Sequence, residues 1–362
     1  MKHLIGPALV QKLAQEIELI YPHFPKKNFL KISATLEGHE LKARVLRVTA
    51  ALKKNFPENY LESLSIIVRV LKNNRLSGFD VWPFSEFIGQ FGLNHFDESL
   101  EAMTVLTEKF TAEFAVRPFF LKDQGKVLAF LSKNISHPNH HVRRWISEGS
   151  RPLLPWGERL PQLVIDPRPT LKLLEMLRFD DEIYVRKSVA NHLNDISKHH
   201  PALVIETIGT WIKTSPDEHV KKILWIRAQG LRTLIKKGNK DALKLMGVKG
   251  APKVEVREIK LNKKKFKLGD RLEFTVTLSS TSKTPQRLVI DYLIDFQKAN
   301  GKTAIKVFKL KVLELSGRQE LAIKKSHSLK KITTMTYYKG LHRLMIQVNG
   351  KILSTIDWQF LL

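Results

Sequence analysis

The spacing of apolar residues changes sharply about two thirds of the way along the chain. In the first part, apolar side chains recur three or four positions apart, as on one face of an α-helix. Later they alternate with polar residues, most clearly over 271–280, which is typical of half-buried β-strands. The segment 247–256 between the two patterns has the glycine and proline content of a linker. The chain is therefore predicted to contain a helical domain at 1–248 and a β-sheet domain at 249–362.

The helical pattern predicts a succession of amphipathic helices, many of them bounded by Pro, Gly, Asn or Asp. The clearest cover 41–54, 60–72, 83–92, 99–117 and 126–134. Pro118 should end or kink the fourth of these, because proline lacks a backbone N–H and restricts the residue before it.

A short motif recurs at the start of three later helices. Val142, Val185 and Val220 each follow a polar turn and precede two basic residues, at intervals of 43 and 35 residues. These intervals suit one helical pair of the HEAT type, and stacked pairs bury each other's apolar faces in a curved solenoid. The basic pairs would then lie along one edge, where we expect a phosphate backbone. The alternative is solvated surface, or counter-ions to acids of the turns such as Asp180, Asp181, Glu182, Asp217 and Glu218.

The second domain is predicted to be an immunoglobulin-like β-sandwich, which makes the whole protein mainly α. About seven short alternating segments follow one another within roughly 110 residues, the density that such a sandwich needs. Residues 348–351 read Val-Asn-Gly-Lys, which favours a two-residue hairpin turn. Tyr337 or Tyr338 is a candidate for the buried corner tyrosine of this fold.

The net charge of +26 and the isoelectric point near 10.0 favour a polyanionic partner, nucleic acid before a membrane surface. The alternative is a merely soluble, basic protein. Residues 251–362 alone hold 23 lysines and arginines against 9 acidic residues. Two lysine clusters there are predicted to contact DNA, unless they only keep the surface soluble. The first cluster contains Lys263, Lys264 and Lys265, and the second contains Lys330 and Lys331.

Several classes of protein are disfavoured by what the sequence lacks. There is no cysteine, hence no disulfide, thiolate zinc site or cysteine nucleophile, and a reducing cytoplasm is expected. No apolar run reaches transmembrane length, and no signal peptide is recognisable. No phosphate-binding glycine loop, Gly-x-Ser-x-Gly elbow or His-Glu-x-x-His motif occurs, so no cofactor and no metal are expected. The histidines at 137, 140 and 141 favour turn and capping roles.

Two glutamates stand out beside arginines and aromatic residues. Glu113 and Arg117 are four apart on a predicted helix, and Arg144 and Glu148 form a second pair in the reverse order. Ion pairs on the helix surface are the alternative for both. If these helices pack as neighbours, both acids face one cleft. Arg151 and Trp156, in the stiff proline-containing loop that follows Glu148, would line it, although Trp156 equally suits plain loop packing.

Two carboxylates and an aromatic wall suit cleavage of an N-glycosidic bond. The sugar becomes cationic in the transition state, and a carboxylate stabilises that charge or orients the attacking water. A base alkylated on a ring nitrogen already carries positive charge, so it leaves without protonation and attracts an indole through cation–π interaction. No metal is required.

Four segments resemble one known family. "AEFAVRPFF", "VRRWISEGSRPLLPWG", "VRKSVANHLNDISKHHP" and "LRTLIKKG" are similar to the AlkC branch of the HEAT-like-repeat alkylpurine DNA glycosylases, and the Ser-Glu-Gly-x-Arg-Pro-x-Leu-Pro-Trp string is the specific one. The resemblance covers most of the chain, including a sandwich that the sister AlkD branch lacks. The family often has Arg where this chain has Leu153 or Leu154, which puts one phosphate contact in doubt.

The resemblance implies a base-excision repair glycosylase that acts on double-stranded DNA and leaves an abasic site. We expect it to be monofunctional, because no lysine stands in an evidently desolvated setting for lyase chemistry, and monomeric, because two domains can enclose DNA without a second copy. Its substrates would be cationic N-methylated bases: 3-methyladenine, and also 3-methylcytosine and 1-methyladenine. Glu113 and Glu148 would be catalytic, with Trp156 and Arg151 at the lesion. DNA contacts in the helical domain are assigned to Arg117, Arg143, Arg144, Arg186, Lys187, Asn191, Lys221, Arg227 and Arg232. The alternative is a non-catalytic HEAT-repeat scaffold that binds nucleic acid or a protein.

Overall fold

A computed structural model describes residues 2–332 and 335–361 of the chain. These residues form sixteen α-helices followed by eight β-strands. The helices are α1 (Pro7–Ile20), α2 (Lys26–Leu30), α3 (Leu41–Asn55), α4 (Tyr60–Lys72), α5 (Trp82–Phe91), α6 (Phe96–Thr107), α7 (Arg117–Lys122), α8 (Gln124–Lys133), α9 (His140–Gly149), α10 (Pro161–Ile165), α11 (Arg168–Leu177), α12 (Ile183–Ile196), α13 (Pro201–Thr214), α14 (Val220–Gly230), α15 (Arg232–Lys236) and α16 (Lys240–Leu245).

Four of the five helices predicted from periodicity are confirmed as α3, α4, α5 and α8, with ends that shift by at most two residues. α4 shows why the pattern works. The Asn59 side chain accepts hydrogen bonds from the backbone N–H groups of Leu61 (2.8 Å) and Glu62 (3.3 Å), which would otherwise lack partners at the start of the helix. Ile67 and Leu71, four positions apart, are then both fully buried on one face.

The helix predicted over 99–117 is wrong, because α6 ends at Thr107 and α7 begins at Arg117. Pro118 lies in the first turn of α7, where a missing N–H costs nothing, so it starts a helix instead of ending one. Glu113 therefore lies in the turns between the two helices, and the predicted helical pair of Glu113 with Arg117 does not exist.

The three Val-basic-basic motifs lie near the starts of α9, α12 and α14, as predicted. Val142 and Val185 are fully buried, whereas Val220 is partly buried. α12 packs against both α9 and α14, so successive motif helices are neighbours. This stacking brings polar side chains of α12 against the end of α9, where the candidate site lies.

The strands form two sheets, which confirms the immunoglobulin-like sandwich. One sheet has the order β1-β3-β6 and the other the order β2-β8-β7-β4-β5, with all pairs antiparallel except the short β2 with β8. The strands are β1 (Val254–Leu261), β2 (Lys265–Phe266), β3 (Arg271–Ser280), β4 (Gln286–Gln297), β5 (Thr303–Leu315), β6 (Glu320–Ser328), β7 (Gly340–Val348) and β8 (Lys351–Phe360).

Inward-facing residues of both sheets make the sandwich core, including Phe274 of β3, Tyr292 of β4 and Trp358 of β8. The predicted hairpin turn joins β7 and β8. Asn349 and Gly350 both have positive φ, 47° and 80°, as a two-residue turn of this type requires.

Contacts within the chain group it into two compact units. One comprises Met1–His199 and Ser215–Gly230, and the other His200–Thr214 and Leu231–Leu362. The second unit thus holds α13, α15 and α16 as well as the sandwich, and Gln347 of β7 donates to the carbonyl of Lys236 in α15 at 3.1 Å. The domain boundary at 248 stays a prediction from composition.

Throughout the described residues, no helix combines the length and the apolar character that crossing a lipid bilayer requires.

Candidate active site

The candidate site lies within the first unit, where the end of α9 meets the turns before α7 and one face of α12. Glu148 is in the last turn of α9, and Arg151 begins the loop that follows it. Glu113 lies in the turns between α6 and α7. All three residues are buried, although each is charged or ionisable. Burying a charged group costs free energy unless the group is paired, so the partners of these three residues define the site.

Glu113 is paired with Arg144 of α9 and not with Arg117. The Arg144 Nη1 donates to Oε2 of Glu113 and also to the hydroxyl of Thr111, at 3.1 Å. The Thr111 hydroxyl donates to the same carboxylate oxygen at 2.8 Å. One oxygen of Glu113 is therefore fixed by a guanidinium and a hydroxyl.

Glu148 receives three partners. Its Oε1 lies 2.6 Å from Nη1 of Arg151 and 3.4 Å from Nη2 of Arg144, so the predicted pair of Arg144 with Glu148 is confirmed. Its Oε2 accepts a 2.6 Å hydrogen bond from the hydroxyl of Ser188 on α12. Arg144 thus bridges Glu113 and Glu148, which places the two predicted carboxylates beside each other.

A third carboxylate, Asp195 of α12, completes the network and was not predicted from the sequence. Its Oδ2 lies 2.7 Å from both Nε and Nη2 of Arg151, and its Oδ1 lies 3.0 Å from Nζ of Lys198. Asp195 is 2% exposed. Arg151 is consequently held between Glu148 and Asp195, and burial opposes its charge, but the two carboxylates raise the pKa of its guanidinium above the ordinary value.

One face of α12 supplies this support. Ser188, His192 and Asp195 are spaced four and then three residues apart, so they share a helical face. Nδ1 of His192 lies 2.9 Å from the carbonyl of Ser147 and donates to it, since a carbonyl only accepts. Burial lowers the pKa of His192 to about 3, so its ring is neutral at physiological pH. The helical spacing of these three polar residues was the available sequence signal.

Arg117 was predicted to contact DNA, and the structure corrects that expectation. Its side chain is 1% exposed, and its guanidinium donates to the backbone carbonyls of Glu158, Gly149 (3.2 Å) and Arg151 (3.0 Å). Burial lowers its pKa to about 10, which still leaves it charged at neutral pH. Arg117 has no surface to offer a phosphate, and instead holds the loop that carries Arg151.

Trp156 projects from that loop with 80% of its surface exposed and a φ of 64°, in the left-handed region. It borders a cavity of about 310 Å³, here called the tryptophan cavity. The residues that line it are Glu40, Leu41, Lys42, Trp82, Phe114 and Trp156. Phe114 directly follows Glu113 in the chain, so the tryptophan cavity lies beside the carboxylate network.

The remaining predicted DNA contacts of the helices differ in what they already bind. Arg143 donates to Asp180 at 2.6 and 3.1 Å, and Arg186 donates to the carbonyl of Asp181 at 2.8 Å. For Arg143 the alternative interpretation as a counter-ion therefore holds. Lys187 of α12 and Lys221 of α14 are exposed, whereas Asn191, Arg227 and Arg232 are partly buried.

The two lysine clusters of the sandwich lie at the same end of the fold. The backbone N–H of Gly269 donates to the carbonyl of Leu329 at 3.1 Å, and the N–H of Leu329 donates to the carbonyl of Asp270 at 2.9 Å. These bonds join the loop after β2 to the loop after β6. The lysines so assembled are Lys263, Lys264, Lys265, Lys330 and Lys331, all exposed, and Lys263 also pairs with Asp270 at 2.7 Å.

Among the described residues, no group of three or more His, Asp or Glu side chains is placed to hold a metal ion. The three site carboxylates are instead neutralised by arginines.

The chain is similar to known proteins over almost its whole length. Residues 255–361 match the family model described as "Uncharacterised protein YhaZ, C-terminal Ig-like domain". YhaZ of Bacillus subtilis, itself described as uncharacterized, is 39% identical over 362 residues, 99% of each chain. A solved structure of the Pseudomonas fluorescens alkylpurine DNA glycosylase AlkC, bound to DNA containing an abasic-site analogue, matches with a TM-score of 0.92 and 36% identity. It covers 100% of this chain and 99% of that one.

The chain belongs to the AlkC family. The likeness to AlkC spans the helices and the sandwich alike, so the two-part architecture is common to both proteins. The Bacillus protein matches over the same length, which extends the resemblance to a second bacterial relative.

Proposed function

We propose that this protein is a monofunctional DNA glycosylase of base-excision repair, which hydrolyses the N-glycosidic bond of cationic N-methylated bases and leaves an abasic site. The observation that carries the proposal is the network of Glu113, Glu148 and Asp195 around two arginines, beside the exposed indole of Trp156. The full-length likeness to AlkC supports the same activity.

The network suits a transition state that develops positive charge on the sugar. Glu148 is held by Arg151, Arg144 and Ser188, so its charge is oriented before the substrate arrives. As the C1′–N bond breaks, the base leaves with the bonding electrons, which neutralise its own positive charge. Water then adds to C1′ and gives up a proton, and we propose Glu113 or Glu148 as the group that accepts it.

The charge of the lesion would be recognised by groups around the tryptophan cavity. The indole of Trp156 offers its negative face to a cation, an attraction worth about 0.5–2 kcal/mol. The nearby carboxylates add longer-range attraction. We propose 3-methyladenine as the typical substrate, with 3-methylcytosine and 1-methyladenine as further ones, since each carries the same positive charge.

The partner would be double-stranded DNA, cradled by a HEAT-like solenoid formed by the helices. The exposed Lys187 and Lys221 are the first candidates for phosphate contacts, followed by Asn191, Arg227 and Arg232. The assembled lysine end of the sandwich would add further contacts. We propose that the protein acts in the cytoplasm as a monomer, without cofactor or metal.

The deciding experiment measures base release from methylated duplex DNA, with DNA affinity followed separately. The wild-type protein should release 3-methyladenine. Glu148→Gln and Glu113→Gln should each lower the rate by roughly 10²–10³, the usual cost of losing one group that stabilises transition-state charge. Both variants should still bind DNA. Glu101→Gln, which removes the same charge from an exposed position on α6, is the matched control and should leave the rate unchanged.

Tight DNA binding without release of any methylated base would instead favour the alternative, a non-catalytic HEAT-repeat scaffold. In that case Glu113 and Glu148 would serve only as buried partners of Arg144 and Arg151.

A further inference from the structure

A cavity of about 780 Å³ lies between the β7–β8 hairpin, α16 and the segment that leads from α16 into β1. It is here called the hairpin cavity, and all of its lining residues belong to the second compact unit. Neither the carboxylate network nor the proposed DNA contacts use it. Its volume falls within the roughly 300–1,000 Å³ that is typical of ligand sites. The hairpin cavity is therefore large enough to enclose part of a partner molecule.

Four lysines line the hairpin cavity, against one acidic residue, Asp241. All four are exposed, and within the part of the chain that the structure describes none of them forms an ion pair. They are Lys240 and Lys244 of α16, Lys249 of the connecting segment and Lys351 at the start of β8. Unpaired positive charges gathered around one concavity attract an anionic partner.

The hairpin cavity also presents apolar groups and free backbone. The buried Leu243 and Val248 line it, as do Ala251 and Pro252 of the connecting segment. The backbone groups of residues 249–251 make no hydrogen bond with any other described residue. Such a wall suits an extended peptide, which pairs through its main chain and packs apolar side chains into pockets.

The hairpin side of the cavity is held in place by the rest of the unit. The backbone N–H of Asn349 donates to the carbonyl of Val289 at 2.8 Å, and the side-chain oxygen of Asn349 accepts from the N–H of Val289 at 2.8 Å. The backbones of Gly238 and Gly350 lie too close together for a Cβ on either residue. A cavity that is already formed costs less conformational entropy when a ligand binds.

The hairpin cavity is separate from the lysine end of the sandwich. β8 starts at the cavity with Lys351 and ends with Phe360, which pairs with Phe266 next to Lys265. Its 10 residues span roughly 30 Å in extended conformation. A phosphate backbone is held mainly through its charged oxygens, which would leave the apolar part of the wall without a partner. An acidic peptide with an apolar side chain uses both parts of the wall.

We propose that the hairpin cavity binds an extended acidic peptide segment of a partner protein. The carboxylates of the peptide pair with the four lysines, and a large apolar side chain packs on the wall that includes Leu243 and Val248. Disordered acidic segments often serve as interaction tails and become ordered when they bind. The proposal does not depend on glycosylase activity.

The probe for the test is a short fluorescein-labelled peptide in which aspartates surround one leucine and one phenylalanine. It is titrated with the full chain at about 150 mM salt, where exposed charges more than about 8 Å apart are largely screened. Binding should be saturable. A second peptide, with serines in place of the leucine and phenylalanine, should bind at least about tenfold more weakly, because it has no large apolar side chain to bury. Undamaged duplex DNA should not displace the probe.

Charge reversal locates the binding site. Lys244→Glu and Lys351→Glu should each weaken peptide binding roughly tenfold, because each places a like charge against the carboxylates of the peptide. Lys244→Arg keeps the charge and should retain most of the affinity. Lys298→Glu is the matched control, since it reverses an exposed charge after β4, at the other end of the sandwich. It should change the affinity little, and thermal unfolding checks that every variant is folded.

Three outcomes overturn the proposal. Equal losses for Lys244→Glu and Lys298→Glu would reduce the interaction to diffuse attraction. Equal binding of the two peptides, or no saturable binding of either, would remove the role of the apolar wall. Displacement of the probe by undamaged duplex DNA would make the hairpin cavity a DNA contact instead.

Discussion

Trp156 occupies a backbone conformation that costs a non-glycine residue roughly 1–2 kcal/mol, while most of its side chain lies in solvent. Neither the strained backbone nor the exposed indole stabilises the fold, so Trp156 is better explained by what it contacts in a complex. Trp156→Gly removes the strain together with the indole. We expect unchanged or slightly higher thermal stability and a three- to thirtyfold lower rate of 3-methyladenine release, from a cation–π attraction of about 0.5–2 kcal/mol.

The comparison with Trp156→Phe separates the two effects, because phenylalanine keeps an aromatic face and the strain. It should retain part of the activity. If Trp156→Gly instead unfolds at a clearly lower temperature, the indole has a packing role that its exposure does not reveal.

Arg117 carries a second prediction at the scale of single residues. Its guanidinium is the partner of three carbonyls, those of Gly149 and Arg151 being buried, and each buried carbonyl left unpaired costs about 1–3 kcal/mol. Arg117→Ala should therefore lower the free energy of unfolding by about 2–5 kcal/mol in urea titrations. Lys187→Ala removes an exposed charge instead. It should weaken DNA binding and change the stability little. Unimpaired stability of Arg117→Ala would make Arg117 a candidate DNA contact again.

The residues of the site were partly predictable from the sequence. Glu113, Glu148 and Arg151 are recognisable because charged groups beside aromatic residues and a proline-rich loop do not follow a packing period. The partner of Glu113 was not, because Arg144 reaches Glu113 only through the packing of distant segments. Asp195 was missed, although its spacing from Ser188 and His192 is helical.

At the scale of elements, periodicity predicts helices and strands but misses the turns after α6. Period 3.6 identifies α3 and α4, and period 2 identifies β3, because one face of each of these elements is buried. Periodicity does not reveal the turns after α6, because apolar residues continue through them. Ala112 and Val116 are fully buried there, and Phe114 between them is partly buried. The interruption is revealed only by the position of Pro118 in the first turn of the next helix. From sequence alone, a proline can mark either the end or the start of a helix.

The hairpin between β7 and β8 packs against the turn after α15 at a pair of glycines. A Cβ added to Gly350 would lie 2.3 Å from the Cα of Gly238, far inside van der Waals contact. Gly301, with a similar φ of 75°, has no atom within 4 Å of the corresponding position. Gly350→Ala and Gly301→Ala share the cost of a positive φ, so their difference isolates the clash.

We expect Gly301→Ala to cost about 1 kcal/mol and Gly350→Ala at least about 1–3 kcal/mol more, measured by thermal or urea unfolding. Equal losses would mean that the turn after α15 moves freely away from the hairpin.

Asp291 of β4 makes stability depend on pH. Burial, opposed by Lys236, Lys309 and Gln347, raises the pKa of its carboxyl from 3.8 to about 6. The folded protein therefore favours the protonated form, so stability falls as the pH rises from about 4 to 6, and the full loss of up to about 3 kcal/mol is present above that range. Asp291→Asn should raise the free energy of unfolding at pH 8. Its advantage should shrink as the pH falls through 6 and vanish below about 4. An advantage that does not vary with pH would contradict this assignment.

At the scale of the whole molecule, a net charge of +26 predicts steeply salt-dependent DNA binding. The lysine end of the sandwich should contribute to that slope. Replacing Lys263, Lys264, Lys265, Lys330 and Lys331 by Gln should reduce the slope of log affinity against log salt by about 0.9 for each phosphate that the variant no longer neutralises. The slope would be measured by titration between about 50 and 200 mM salt, the range over which such interactions weaken markedly.

Lys283→Gln is the control, since Lys283 is exposed beyond the opposite end of β3. It should change the slope less, per charge, than the lysine end does. If all substitutions have the same effect per charge, the sandwich contributes only diffuse attraction and no defined contact.

The exposure of Trp156 also gives the molecule a built-in optical reporter. The chain has six tryptophans; Trp145, Trp211 and Trp358 are at most 2% exposed, Trp82 is 6% exposed, and Trp225 is partly buried. Dissolved iodide can therefore quench the emission of one indole far more than that of the others, and that indole stands at the tryptophan cavity. Loss of iodide quenching on adding damaged DNA would follow occupation of the site in real time, without any attached dye.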